Sequence, residues 1–169
     1  MRFAGLGLAW SRRRTTGGAI LSWGGTVARP MASDSVLGDD EDILAFPHLG
    51  VGEDGALVAI NAPLVVPNQT GTRPCDQAVS AVYRAHHAGA YPANRSRLGP
   101  EVRGEALATR FQDQGFTASP LVRRWEEVRQ VVEVYPHPAM IEVFGLARRS
   151  STRPAQHEPY HSGGRNSTG

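Results

Sequence analysis

The sequence predicts a single mixed α/β domain, in which a meander of three antiparallel strands leads into alternating helices and strands. Two observations carry that expectation. Short apolar runs broken by glycine and polar turns fill the first thirty residues, whereas helical periods alternate with β-branched runs from residue 56 onward. At 169 residues there is room for one domain and not two.

Phe3 to Trp10 is a glycine-rich apolar run, Arg12 to Thr16 a polar turn, and Gly18 to Trp23 apolar again. Gly24-Gly25 is a turn signal, and Thr26 to Arg29 reads as a short third strand. The acidic run from Asp39 to Asp42 precedes Ile43, Leu44 and Phe46 and favours a helix start, because the helix dipole is positive there. Ala56 to Ile60 is a buried-strand candidate, and Pro63 and Pro67 forbid helix in the loop that follows. Asp76 to His87 has helical period, with Val79, Val82, Tyr83 and His86 on one face. Gly89 to Gly99 reads as loop. Pro100 suits the first position of a helix running to Gln114, with Gly115 as its stop. Val128 to Tyr135 is a β-branched strand, and Ala139 to Phe144 a last helix ended by Gly145. Residues 1–149 form the expected domain. Residues 150–169 lack hydrophobic period and read as a disordered tail.

Composition narrows the chemistry. The net charge of +2 permits weak association with a polyanion without demanding it. All basic residues are arginine, as codon use in a GC-rich genome would produce. The single cysteine, Cys75, rules out an internal disulfide framework and a cysteine-based zinc site, and suits a cytoplasmic setting. No apolar run is long enough to span a bilayer, so no membrane partner is expected. Arg12-Arg13-Arg14 reads as a solvated hairpin tip before it reads as an export signal or a nucleic-acid contact. Oligomeric state is not legible.

The informative groups stand at strand ends, where an open α/β sheet forms its ligand crevice. Ala59-Ile60-Asn61-Ala62-Pro63-Leu64 ends one strand, Arg73-Pro74-Cys75-Asp76 opens a helix, and Glu133-Val134-Tyr135-Pro136-His137-Pro138 ends another strand. With Phe3 to Trp10, Val65-Val66-Pro67-Asn68 and His87 to Asn94, these segments resemble a bacterial family described as a domain of unknown function and predicted to be an RNase H-like nuclease. The resemblance runs from about Arg2 to Arg149 and is specific only when the segments are taken together. It implies a ribonuclease-H-like mixed sheet with helices on both faces, incomplete at the C-terminus. It also implies a magnesium-dependent phosphodiesterase site built from carboxylates.

This chain departs from that pattern. Gly7 stands where an aspartate is expected in the first strand, and Asn61 stands where one is expected after the fourth. The last acidic helix does not follow, and the segment from Arg148 reads like translation in a shifted frame. The expectation is therefore an impaired homologue. Glu133 and Asp76 are the candidate catalytic residues, and Glu133 is a weak metal ligand or none. Asn61, Arg73, Asn68, Asn94, Arg95 and His137 are the candidate substrate contacts. Weak nucleic-acid binding would run through Arg73 and Arg95. The alternative is an active magnesium enzyme using Glu133 and Asp76.

Blander roles compete at each position. Asp76 is well placed as a helix N-cap, Arg73 as its ion-pair partner, and Cys75 as a buried thiol. His137 reads as a donor to a loop carbonyl. His86 and His87, adjacent on a helix, make a poor metal pair. Gly5-x-Gly7 is discounted as a dinucleotide fingerprint, since Trp10 occupies the third glycine position.

Overall fold

The structure, a computed structural model, describes residues 1–9, 15–51 and 55–149. The expected hairpin tip at Arg12 to Arg14, Trp10 and the tail from Ser150 lie outside the described residues.

The chain runs β1 (Arg2–Gly7), β2 (Thr16–Trp23), β3 (Ala28–Leu37), α1 (Asp40–Val51), β4 (Ala56–Ile60), α2 (Pro74–Tyr83), α3 (Arg95–Leu98), α4 (Arg103–Asp113), β5 (Thr117–Ala118), β6 (Arg129–Glu133) and α5 (Pro136–Phe144). They form one six-stranded sheet in the order β3-β2-β1-β4-β6-β5. β1, β2 and β3 pair antiparallel, while β4, β6 and β5 continue the sheet parallel to β1. This is a mixed α/β sheet of ribonuclease-H-like order.

Side-chain alternation explains where the core sits. Ala4, Leu6, Ile20, Val58, Ile60 and Val131 share one face and meet Ile43, Leu44 and Phe46 of α1 and Leu107, Ala108 and Phe111 of α4. Full burial of a side chain such as Phe111, which is 0% exposed, is worth about 1.5–3 kcal/mol. On the opposite face Gly5, Gly7 and Ala19 are exposed, in the middle of the sheet.

Several boundaries differ from expectation for identifiable reasons. β3 is a ten-residue strand and not the short Thr26–Arg29 segment. It is the sheet edge, nearly all of it exposed, so it carries no apolar alternation to read. Asp39 does start α1, its carboxylate accepting the N–H groups of Glu41 and Asp42 at 2.9 Å each. α2 begins at Pro74 and gives way at Arg84–His86 to a single 3-10 turn. The expected apolar face of α2 is not a core face, because Val82 is 62% exposed. α4 starts at Arg103 and not at Pro100, since Val102 is extended and buries its side chain. The short α3 inside the expected loop is nucleated by Asn94, whose side chain accepts the Arg97 N–H. β5, two residues long, is too short to leave a periodic signal. α5 takes both prolines into its first turn, Pro136 leading.

Candidate functional site

The C-terminal ends of β1, β4 and β6 stand side by side, with Leu6, Ile60 and Glu133 in register. Asn61 closes β4 by donating its N–H to the Leu6 carbonyl at 2.9 Å. Gly7 follows Leu6 and so faces the other side of the sheet from Glu133. A Cβ added at Gly7 would meet only the Gly17 carbonyl oxygen at 3.7 Å, an ordinary contact, so packing does not require glycine there.

Glu133 points into the loop between β4 and α2. Its Oε2 accepts the Leu64 N–H at 2.9 Å and Nη1 of Arg73 at 3.0 Å, and its Oε1 accepts Nη2 of Arg73 at 2.6 Å. Arg73 turns its other edge to Asp76, donating Nε to Oδ2 at 3.0 Å and Nη2 to Oδ1 at 2.8 Å. Nη1 also donates to the Val65 carbonyl at 2.9 Å. These five contacts match the five N–H groups of a guanidinium. Asp76 in turn accepts the Ala93 N–H at 3.2 Å. One arginine thereby ties β6, the proline-bearing loop, the first turn of α2 and the segment before α3 into a single unit.

Electrostatics follow from that geometry. Burial works against the charged guanidinium, but hydrogen bonds and attraction from Asp76 and Glu133 outweigh it and hold Arg73 well above its ordinary pKa. The side chains of Arg73 and Asp76 are both 7% exposed, while that of Glu133 is 34% exposed. Two carboxylates and one guanidinium leave the cluster one net negative charge, and both Glu133 oxygens already accept hydrogen bonds.

A third carboxylate, Glu105 of α4, was not expected from the sequence. It accepts the Val66 N–H at 2.7 Å and pairs with Arg95 at 2.9 Å. Leu64 and Val66 thus each bury an apolar side chain while offering the backbone N–H to a half-buried carboxylate. An acid in the first turn of a helix was the only available signal, and it reads equally well as a dipole partner.

Asn68, Asn94 and Arg95 are each tied to the surrounding loops. Asn68 donates its amide to the carbonyls of Thr70 and Ala93, and its Oδ1 is buried without a partner. Asn94 caps α3 and donates its amide to the Gly71 carbonyl at 2.7 Å. Arg95 is held by Glu105 and the Pro100 carbonyl.

Three expectations are corrected. Asp76 is not an N-cap: it is the third residue of α2, and its oxygens are taken by Arg73 and Ala93. Cys75 is exposed, because the buried side of the first turn belongs to Asp76. The Nδ1 of His137 has no carbonyl partner and is buried, its ring set edge-on to Tyr135 at 5.3 Å. His86 is anchored separately, its Nδ1 2.9 Å from the Ala147 carbonyl, and His87 takes a left-handed φ of 57° that ends the turn.

Burial, and then the positive charge of Arg149, push the His137 pKa below the usual 6.5. The unfolded chain takes up a proton there more readily than the folded one. Stability from this residue is therefore complete above about pH 6.5 and falls as the pH drops below it. Urea midpoints measured across that range should decline less steeply for His137→Gln than for the wild type. Parallel slopes would remove His137 as the cause.

Among the described residues, no group of three or more His, Cys, Asp and Glu side chains could hold a metal ion. Among them, too, no helix is long and apolar enough to cross a membrane. A family model described as Protein of unknown function (DUF429) matches residues 14–164. No curated protein matches the chain, and no solved structure does.

Proposed function

The chain belongs to the family described as Protein of unknown function (DUF429), and on that premise we propose that it is a ribonuclease-H-like homologue without metal-dependent catalysis, its crevice used at most for weak contact with nucleic acid. The observation that carries this reading is the engagement of Glu133 by Arg73 at 2.6 and 3.0 Å. A guanidinium already engages both oxygens of the one carboxylate that stands at these strand ends.

The donor set does not fit magnesium. That ion prefers near-octahedral oxygen ligands, carboxylates among them, and sheds water reluctantly. Gly7 supplies no side chain, and Asn61 only a neutral amide. A cation reaching Glu133 would have to displace Arg73 from it and would face the Arg73 charge afterwards. Asp76 is less accessible still, with Arg73 and the Ala93 N–H holding its oxygens.

Binding to nucleic acid is correspondingly weak in this reading, since Arg73 and Arg95 both have internal partners. Full-length protein titrated with magnesium or manganese in a calorimeter is expected to give no saturable heat. Labelled single- and double-stranded RNA and DNA are expected to stay intact in either metal. Metal-dependent cleavage that disappears with Glu133→Ala would overturn the proposal in favour of an active phosphodiesterase using Glu133 and Asp76.

A further inference from the structure

Helix α2 presents Gln77, Ser80 and Ala81 at the i, i+3 and i+4 positions of one face, and Arg84, the first residue of the 3-10 turn that follows it, continues the same lining. The stripe faces Ala90 and Pro92 across an open groove of about 420 Å³, with Thr72 also in its lining. That volume lies within the range of small-molecule sites.

The walls are pinned. Ser80 Oγ donates to the Ala90 carbonyl at 3.1 Å, and the Gln77 amide donates to the Thr72 carbonyl at 3.4 Å. Ala93, just beyond Pro92, is held by Asp76, and Gly71, just before Thr72, is held by Asn94. The groove is therefore preformed by the same braces that fix the neighbouring charge network.

Its chemistry is one-sided. No acidic residue lines it, and Arg84 is its only charged group. Among the described residues Arg84 has no side-chain ion pair, in contrast to Arg73 and Arg95 nearby. Arg84 stands seven residues beyond Gln77, just past the end of α2. Between them the lining is mostly apolar, from Ala81, Ala90 and Pro92.

We propose that this groove binds a small organic phosphate, its anion on Arg84 and its apolar body against Ala81, Ala90 and Pro92. A guanidinium offers a phosphate paired N–H donors, and the apolar middle of the groove supplies contact that a bare ion could not use. The site is separate from the Glu133 network and does not depend on whether that crevice is catalytic.

The test is a two-dimensional amide NMR titration of the full chain with phenyl phosphate, inorganic phosphate and benzyl alcohol. Phenyl phosphate is expected to shift the amides of Thr72, Gln77, Ala81, Arg84 and Ala90 saturably, and more tightly than either fragment. Arg84→Gln is expected to weaken it by roughly tenfold or more, the loss of a charged hydrogen-bond partner. Ala81→Phe, which fills the groove from an exposed helix position, should weaken phenyl phosphate more than inorganic phosphate. Absence of saturable shifts, or an affinity unchanged by Arg84→Gln, would refute the site. Equal affinity for inorganic and phenyl phosphate would reduce it to a bare surface ion contact and refute the groove.

Discussion

Arg73→Ala is expected to destabilise the fold by about 3–5 kcal/mol, the usual cost of breaking a buried ion pair from one side. Most of the loss arises at Asp76, whose side chain is 7% exposed and would keep only the Ala93 N–H and the weak Cys75 thiol donor as partners. Glu133 contributes less, because its side chain is 34% exposed and solvent can take over part of the charge. Arg73→Lys should recover little. An ammonium has three donors at one point, whereas the native contacts reach two carboxylates and the Val65 carbonyl from a planar fork. Glu133→Gln is expected to be milder than either. Urea unfolding followed by circular dichroism measures all three. If Arg73→Ala cost less than about 1 kcal/mol, the range of an exposed pair, the network would not be holding the loop.

Gly104→Ala is the second large effect, and its sign runs against helix propensity. In an exposed helix interior this change stabilises by about 1 kcal/mol. Here the added Cβ would fall far inside van der Waals contact with the Pro63 carbonyl oxygen, 3.1 Å from the Pro63 carbonyl carbon and 3.3 Å from the Ala62 Cβ. All but one of those atoms are backbone, so no side chain can rotate away. Either α4 or the loop after β4 must shift, and that loop carries the N–H groups given to Glu133 and Glu105. A net loss of about 1–3 kcal/mol is expected, as for overpacked cores. Thermal unfolding would register it, together with faster proteolysis after Leu64. A variant as stable as the wild type would mean that α4 and the loop do not pack this closely.

The two predictions concern the same region, and they explain why the strand ends read well while the site did not. Asn61, Arg73, Asp76 and Glu133 stand out because each lies beside a strand end or a helix start, a property of local sequence. The pairing of Arg73 with Asp76 was also within reach, three residues apart across one helical turn. The partnership of Arg73 with Glu133 spans 60 residues, and that of Glu105 with Val66 spans 39. No periodicity links residues at such distances. The same gap explains the misplaced Asp76, which has the right composition for an N-cap but is drawn inward by a guanidinium and by Ala93.

By itself the sequence determined the order of the strands and helices apart from α3 and β5, and the acidic start of α1, because each depends on neighbours within a turn or a pleat. It also marked Asp76 and Glu133 as acids beside a helix start and a strand end. Tertiary structure alone decided which partners these carboxylates take. A carboxylate's role depends on which donors lie within about 3 Å of it, and chain folding brings those donors from distant segments. Here they are a guanidinium and backbone N–H groups, and they join Asp76 and Glu133 in one network.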